Sequence, residues 1–200
     1  MHKNLRLFNL FLVLILGGMS IFASCNQPAP TGYKTYSLPD KGIAHLSFEY
    51  PAAFYVRLVQ LLDDTGFERM DIDGPYSQQN RDRTTMWVVA QRYPISIAID
   101  NIIQNSISAA SGLSGYRQID RSTTNVNGLT AEQHIYFFYS TRSDYDIKVL
   151  GLKPSPMVTR EVFFTYNGLQ WTVGMSADER IVDAETAGFE HLLQTLTMLP

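Results

Sequence analysis

The stretch Asn127-Gly-Leu-Thr-Ala-Glu-Gln-His-Ile-Tyr-Phe-Phe-Tyr139 decides the fold, because it joins a turn to a long strand. Asn and Gly accept the positive φ of a two-residue hairpin, so Asn127-Gly128 predicts a tight turn. Successive side chains of a strand point to opposite faces of its sheet. Here both sets are largely apolar, with Ile135 and Phe137 on one side and Tyr136 and Phe138 on the other. We therefore expect a strand that is covered on both faces.

The neighbouring segments predict an antiparallel sheet around this strand. Residues 116–126 lead into the Asn127-Gly128 turn, and Asn167-Gly168 predicts a second hairpin between residues 158–166 and 169–175. Further strands are predicted at residues 43–50, 54–62, 67–72 and 84–91. Residues 54–62 could also form a helix, but their β-branched and aromatic content favours a strand. Polar turns or loops are predicted at 63–66 and 73–83.

Two helices are available to cover the sheet. One is indicated by apolar residues at helical spacing between Ile99 and Ala110, with Gly112 able to end it. The other begins near Asp183 and is marked by Phe189, Leu192, Leu193 and Leu196. An antiparallel sheet with helices on both faces is an α+β fold, here predicted as an α/β/α sandwich.

The first 25 residues have the layout of an export signal. Lys3 and Arg6 precede an apolar run that ends at Gly17-Gly18, which is short for a permanent transmembrane helix. Phe22-Ala-Ser-Cys25 resembles a bacterial lipobox, and Cys25 is the only cysteine in the chain. We therefore predict cleavage after residue 24 and lipid attachment to Cys25. The alternative is an ordinary signal peptide with a cysteine near its end by chance.

The rest of the chain predicts one tethered, mildly acidic domain. Residues 25–35 read as a lipid-anchored flexible tether and residues 36–200 as a single domain. The chain has a net charge of −3, and its first 24 residues contain basic residues but no acidic one. The domain is thus more acidic than the whole chain. Without a Lys/Arg run, this composition argues against nucleic acid as a partner.

The chain contains three motifs, Phe48-Glu-Tyr-Pro51, Val126-Asn-Gly-Leu-Thr-Ala131 and the Asn167-Gly168 hairpin before the last helix. In this order they resemble the PsbP-like family, whose namesake is an extrinsic subunit of photosystem II. The family usually has Trp shortly after the Pro, where this chain has Phe54. The resemblance covers residues 36–199 and implies the α/β/α fold. It also implies a binding or assembly role rather than an enzyme, in a family whose bacterial members are often small lipoproteins.

The sequence contains no specific signature of catalysis, a cofactor or a metal. Its histidines lack metal-ligand spacing, and Gly112-Leu-Ser-Gly115 lacks the spacing of a hydrolase nucleophile elbow. We interpret His134 as a structural residue and His191 as solvated. Asp71-Ile-Asp73-Gly74 suggests a calcium loop only superficially, because residues 75–83 supply no Glu. A strand end running into a turn is the preferred interpretation.

Residues 141–156 form an unusually long connection between two predicted strands. We favour the interpretation that their apolar residues extend those strands or cover a sheet edge. If the segment binds a partner instead, its contact residues are predicted to be Arg142, Tyr145, Lys148 and Leu150.

The expected function is that of a non-catalytic, exported module, anchored to a membrane through Cys25 and binding another envelope protein. The alternative is a small envelope hydrolase with an unrecognised active site.

Overall fold

The computed structural model describes residues 31–38, 45–62, 66–76, 82–93 and 97–198, which all belong to one unit, Thr31–Pro200. Its helices are α1 (Ile99–Ser111), α2 (Asp144–Lys148) and α3 (Val182–Thr195). Its strands are β1 (Tyr33–Ser37), β2 (Leu46–Pro51), β3 (Tyr55–Leu62), β4 (Phe67–Tyr76), β5 (Arg83–Gln91), β6 (Arg117–Val126), β7 (Leu129–Tyr139), β8 (Pro156–Tyr166), β9 (Leu169–Asp178) and β10 (Thr197–Met198). None of the described helices is both long and apolar enough to span a membrane.

Seven of these strands form the main sheet in the order β3-β4-β5-β9-β8-β7-β6, with every neighbouring pair antiparallel. The two predicted hairpins are confirmed, since Asn127 and Asn167 have positive φ and the following glycines do too. Residues 54–62 are confirmed as a strand. β6 and β3 are the edges of the sheet, so β8 and β9 lie near its centre.

One face of the main sheet, the α3 face, carries the largest apolar core. Met86, Val88, Val173 and Met175 face α3, whose Phe189, Leu192 and Leu193 are fully buried. Gly188 lets α3 approach closely, because a Cβ at that position would lie 2.7 Å from Pro51 Cγ. The small sheet, with strand order β1-β2-β10, completes this side through Leu46 and Phe48.

The opposite face, the α1 face, carries α1. Glu161 follows Arg160 in β8, so their side chains lie on opposite faces of the sheet. Arg160 pairs with Glu190 of α3, whereas Glu161 accepts a hydrogen bond of 2.5 Å from Ser106 of α1. The two helices therefore cover opposite faces, which confirms the predicted antiparallel sheet with helices on both sides.

Three parts of the sequence-based description need correction. β1 begins at Tyr33 and pairs with β2, so the tether predicted for residues 25–35 extends too far into the domain. β4 continues to Tyr76 instead of ending at Ile72, because ion pairs allow Asp73 to stay buried within the strand. β10 was not predicted, since a two-residue strand leaves no periodic pattern. Cys25 and the predicted signal lie outside the described residues.

Candidate functional site

Several connections meet at one end of the main sheet, which we call the loop end. The register pairs Tyr76 with Arg83, Tyr139 with Pro156, and Met157 with Asp178, so the end of β4, the start of β5 and the connections at residues 140–155 and 179–181 share this end. The opposite end includes the two tight Asn-Gly hairpins, the start of β4 and the end of β5. Because long connections on a rigid sheet commonly carry binding sites, we expect a binding site at the loop end.

The connection between β7 and β8 folds into a short helix. α2 is closed at its start by a capping box, in which the Ser143 hydroxyl accepts from Asp146 N at 3.1 Å and the Asp146 carboxylate accepts from Ser143 N at 3.2 Å. Since β7 ends at Tyr139 and β8 begins at Pro156, residues 140–155 lie outside both strands. The preferred interpretation was that the apolar residues extend the strands or cover a sheet edge, and its first half, strand extension, is wrong.

Arg142 connects this segment to Asp82, which directly precedes β5. Its guanidinium donates to Asp82 at 2.5 Å, to the Ser155 hydroxyl at 2.9 Å and to the Lys153 carbonyl at 3.3 Å. The side chains of Arg142 and Asp82 are only 9% and 11% exposed. A buried, charge-assisted bond of this kind fixes the segment in one position. The structure thus gives Arg142 a positioning role, and its predicted contact with a partner stays a prediction.

Three apolar side chains of the same segment point into solvent. Tyr145 is 62%, Ile147 48% and Val149 63% exposed, and we call these three residues the α2 patch. Lys148 is exposed beside them, and Leu150 is half-buried. The sequence pattern favours packing of these apolar residues as part of a strand or over a sheet edge. The structure instead leaves the three side chains of the α2 patch exposed at the surface. Tyr145, Lys148 and Leu150 remain untested as contact residues, but the structure places all three on one short segment.

A cleft of about 230 Å³ opens at the same end of the sheet. It lies where β4 and β9 end and where β5 and α3 begin, and it shares Asp82 with the Arg142 contact. The lining residues are Pro75, Tyr76, Asp82, Arg83, Asp178, Arg180, Ile181 and Glu185. The sequence has no spacing that would connect Asp82 with Glu185, so only the sheet topology brings them together. Sequence reasoning missed this cleft for that reason.

Both arginines of the cleft already have acidic partners. Arg83 donates to Asp73 at 2.6 Å and to the Tyr55 hydroxyl at 2.5 Å, and its guanidinium lies 3.9 Å from the Tyr76 ring centre. Arg180 makes a two-pronged contact with Asp178, at 2.8 and 2.6 Å. That hydrogen bonding raises the pKa of Arg180. Both partner carboxylates are buried, so the arginines serve first to neutralise them.

Glu185 is the exception among the charged groups of the cleft. Its carboxyl has no hydrogen-bond or ion-pair partner among the described residues, although Glu185 is half-buried. Burial raises the pKa of the Glu185 carboxyl above its ordinary value, and no neighbouring cation opposes that effect. The cleft therefore holds one carboxyl that has no cationic side-chain partner within the described residues.

His134 lies in a cluster of polar side chains on the α1 face. It is fully buried, with Nε2 3.4 Å from the Tyr116 hydroxyl. Burial, and after it the charge of Arg121, lowers the pKa of the His134 imidazole. Its cross-strand neighbour Glu161 binds Ser106. In a catalytic triad the serine contacts the histidine, whereas here Ser106 contacts the carboxyl. This cluster therefore lacks the connectivity of a triad.

The interpretation of His191 as solvated is only partly right, because its side chain is 29% exposed and has two partners. Its Nε2 lies 2.6 Å from a carboxylate oxygen of Glu49, and its ring stacks on Tyr33 at a centroid distance of 3.6 Å. The side chain therefore links α3 to β2 through Glu49 and to β1 through Tyr33.

Asp71 and Asp73, the residues that resemble a calcium loop, form ion pairs within the domain. Asp71 contacts Arg57 and Arg69 at 2.7 Å, and Asp73 contacts Arg57 at 2.8 Å and Arg83 at 2.6 Å. Both oxygens of Asp71 thus contact guanidinium groups, whereas Asp73 Oδ2 contacts two guanidinium groups and Asp73 Oδ1 accepts from the Thr85 hydroxyl at 3.1 Å. Across the described parts of the chain, no three His, Cys, Asp or Glu residues come together as a metal site.

Comparison with known proteins identifies the fold. No protein-family model matches the sequence, and no curated protein sequence matches it. Among solved structures, LpqN of Mycobacterium tuberculosis, described as involved in cell envelope biogenesis, is similar with a TM-score of 0.53 and 12% identity. That match covers 86% of this chain and 99% of LpqN.

Cyanobacterial PsbP from Synechocystis is similar with a TM-score of 0.51 and 15% identity, covering 90% of this chain and 99% of PsbP. A Pseudomonas aeruginosa protein of unknown function also has a TM-score of 0.51, with 14% identity and coverage of 84% and 98%. Identities this low establish the fold and nothing further. The resemblance inferred from the sequence motifs is thereby confirmed at the level of architecture, and this chain has the PsbP-like fold.

Proposed function

We propose that this chain is an exported protein, anchored to a membrane by lipid on Cys25, whose domain is a non-catalytic binding or assembly module for another cell-envelope protein. The basic start, the short apolar run and Phe22-Ala-Ser-Cys25 support export and lipidation. Lipid attachment also gives the only cysteine of the chain a role in an oxidising compartment.

Proteins with the same architecture support the accessory role. LpqN is described as involved in cell envelope biogenesis. The PsbP-like family, which the sequence motifs resemble, is named after an extrinsic subunit of photosystem II. Fold alone does not determine function, so these precedents raise the expectation of a binding role without naming a partner.

The α2 patch is the observation that carries the proposal. A tyrosine and two aliphatic residues are presented to solvent on a segment that Arg142 holds in place. Tyrosine is enriched at the centres of protein interfaces. Presenting these side chains on a fixed segment lowers the entropy lost on association, so a small patch can still give useful affinity.

The proposal is tested by crosslinking and pull-down from intact membranes, with partners identified by mass spectrometry. We expect Tyr145→Ser combined with Val149→Ser to remove specific envelope proteins from the crosslinked set. The matched control combines Ile119→Ser with Val59→Ser, which changes two exposed apolar residues on the edge strands. Loss of the same partners in the control, or an unchanged set in the α2 variant, would show that the α2 patch is not the contact.

Anchoring is tested separately by the mass of the mature N-terminus and by fractionation. We expect a lipidated Cys25, and we expect Cys25→Ala to leave the membrane fraction, because stable attachment requires more than one acyl chain and a lipidated N-terminal cysteine supplies them. An unmodified cysteine, or equal membrane retention of the variant, would refute the anchor.

A further inference from the structure

The charge arrangement of the cleft at the loop end distinguishes between possible ligands. An anion would have to recruit Arg83 or Arg180, and each is already paired with a buried aspartate. Removing either arginine from its partner would leave a buried carboxylate uncompensated, which is costly. Glu185 has no such partner in the described part of the chain. A positive group is therefore the ligand that the cleft can accept without breaking an existing pair.

The shape and walls of the cleft favour a single extended side chain. Its volume of about 230 Å³ lies below the ~300–1,000 Å³ typical of drug-sized ligands and cofactors. Pro75, Tyr76 and Ile181 provide apolar wall next to the Glu185 carboxyl. Long basic side chains bury their methylene stems along such surfaces while the charged end meets a polar group.

We propose that this cleft receives a lysine or arginine side chain of the partner protein, with Glu185 as its counter-ion. The inference deepens the proposed function, on which it rests, because it specifies a basic contact next to the α2 patch. The two features are physically connected, since Asp82 lines the cleft and accepts a hydrogen bond from Arg142 of the 140–155 connection. The acidic balance of the domain would also attract a basic surface at long range.

The cleft is tested with small probes on the full chain purified in mild detergent. N-acetyl-arginine amide and N-acetyl-lysine amide supply the cationic side chains, and N-acetyl-citrulline amide is the neutral counterpart of the former. The readout is the methyl resonance of isotope-labelled Ile181, which lines the cleft. We expect saturable shifts with the cationic probes and none with citrulline, since only a cation satisfies Glu185.

Two variants make the assignment specific. Glu185→Gln should weaken binding of the cationic probes by roughly tenfold, as expected for loss of one charge-assisted contact. Asp183→Asn is the matched control, because it removes an acidic residue from the same first turn of α3 without lining the cleft. Equal shifts by citrulline, or equal weakening by both variants, would overturn the proposal.

Two further measurements are needed. The first distinguishes a protein side chain from a free diamine as the source of the cation, and the second tests the cleft separately from the proposed function. Putrescine represents a free diamine, and if it bound much more tightly than the acetylated side chains, the assignment to a protein side chain would be wrong. In the membrane pull-down, we expect Glu185→Gln to reduce capture of the partners that depend on the α2 patch. Unchanged capture would overturn the cleft proposal while leaving the α2 patch result intact.

Discussion

The indole of Trp87 lies directly over Gly174 on the α1 face, where β5 and β9 pair these two residues. A Cβ at position 174 would overlap the six-membered ring of Trp87 and lie 2.7 Å from its Nε1. The missing side chain thus makes room for a large aromatic group in the middle of the sheet. Glu161 is the cross-strand neighbour of Gly174 on the other side.

Gly174→Ala should therefore destabilise the domain by about 1–3 kcal/mol, the usual cost of adding a methyl group where no space exists. The unfolding midpoint in denaturant measures the loss, and altered Trp87 fluorescence would show that the ring has moved. Gly112→Ala is the control, because a Cβ there has only the Ala109 carbonyl oxygen nearby, at 3.5 Å. If both variants unfolded at the wild-type midpoint, the close approach of Trp87 to Gly174 would be refuted.

Phe137 and Phe138 differ in burial although both lie in β7. Phe137 is 8% exposed on the α3 face, whereas Phe138 is only half-buried on the α1 face. Phe137→Ala should cost about 3–5 kcal/mol of unfolding free energy, and Phe138→Ala on the order of 1–2 kcal/mol, because less apolar surface is lost. Denaturant unfolding of the two variants measures the difference. Equal costs would mean that both faces are covered equally.

The unequal burial of Phe137 and Phe138 could not be predicted from the sequence. The turns at Asn127 and Asn167 depend on local backbone chemistry, and alternation along β7 is visible in the sequence, so hairpins and strands could be predicted. How far α1 extends over the α1 face depends on distant contacts such as Ser106 with Glu161. The sequence therefore predicts that both faces are covered, but not that coverage at Phe138 is partial.

The loop end was harder to predict for the same reason. The polar and apolar residues of the 140–155 connection are compatible with strand extension, a loop or a helix. The contact between Arg142 and Asp82, sixty residues apart, selects the observed arrangement. Glu185 enters the site from α3, and the ordinary amphipathic pattern of that helix gives no sign that one carboxyl faces a cleft.

Arg142→Met should loosen the 140–155 connection and destabilise the domain. It leaves the largely buried Asp82 without its closest cation, and removing one partner of a buried ion pair costs roughly 3 kcal/mol or more. Amide hydrogen exchange in residues 140–155 should become faster, in addition to a lower unfolding midpoint.

Arg121→Met is the matched control for that experiment. Arg121 pairs with Asp100, whose side chain is largely exposed, so loss of this contact should cost at most ~1 kcal/mol. If Arg142→Met and Arg121→Met had equally small effects on stability and exchange, the contact between Arg142 and Asp82 would not be what positions the 140–155 connection.

Glu161 should make the stability of the domain depend on pH. Burial beneath α1 raises the pKa of its carboxyl above the ordinary value, and the hydrogen bond from Ser106 only partly opposes this effect. The folded state thus binds the proton more tightly than the unfolded state does. Stability contributed by Glu161 is therefore fully present below its unfolded pKa and is lost as pH rises through the folded pKa.

Glu161→Gln should remove this dependence, because glutamine stays neutral and can still accept the Ser106 hydrogen bond. Compared with wild type, the variant should gain unfolding free energy at about pH 7.5 relative to about pH 4. The lowered pKa of His134 has the opposite effect, because it destabilises the fold in acid. Since His134 is present in both proteins, the difference in unfolding free energy between Glu161→Gln and wild type reports on Glu161. Glu179→Gln, which changes an exposed glutamate, is the control for loss of one acidic residue. A constant difference between Glu161→Gln and wild type across this pH range would show that Glu161 is ionised to the same extent in the folded and unfolded states.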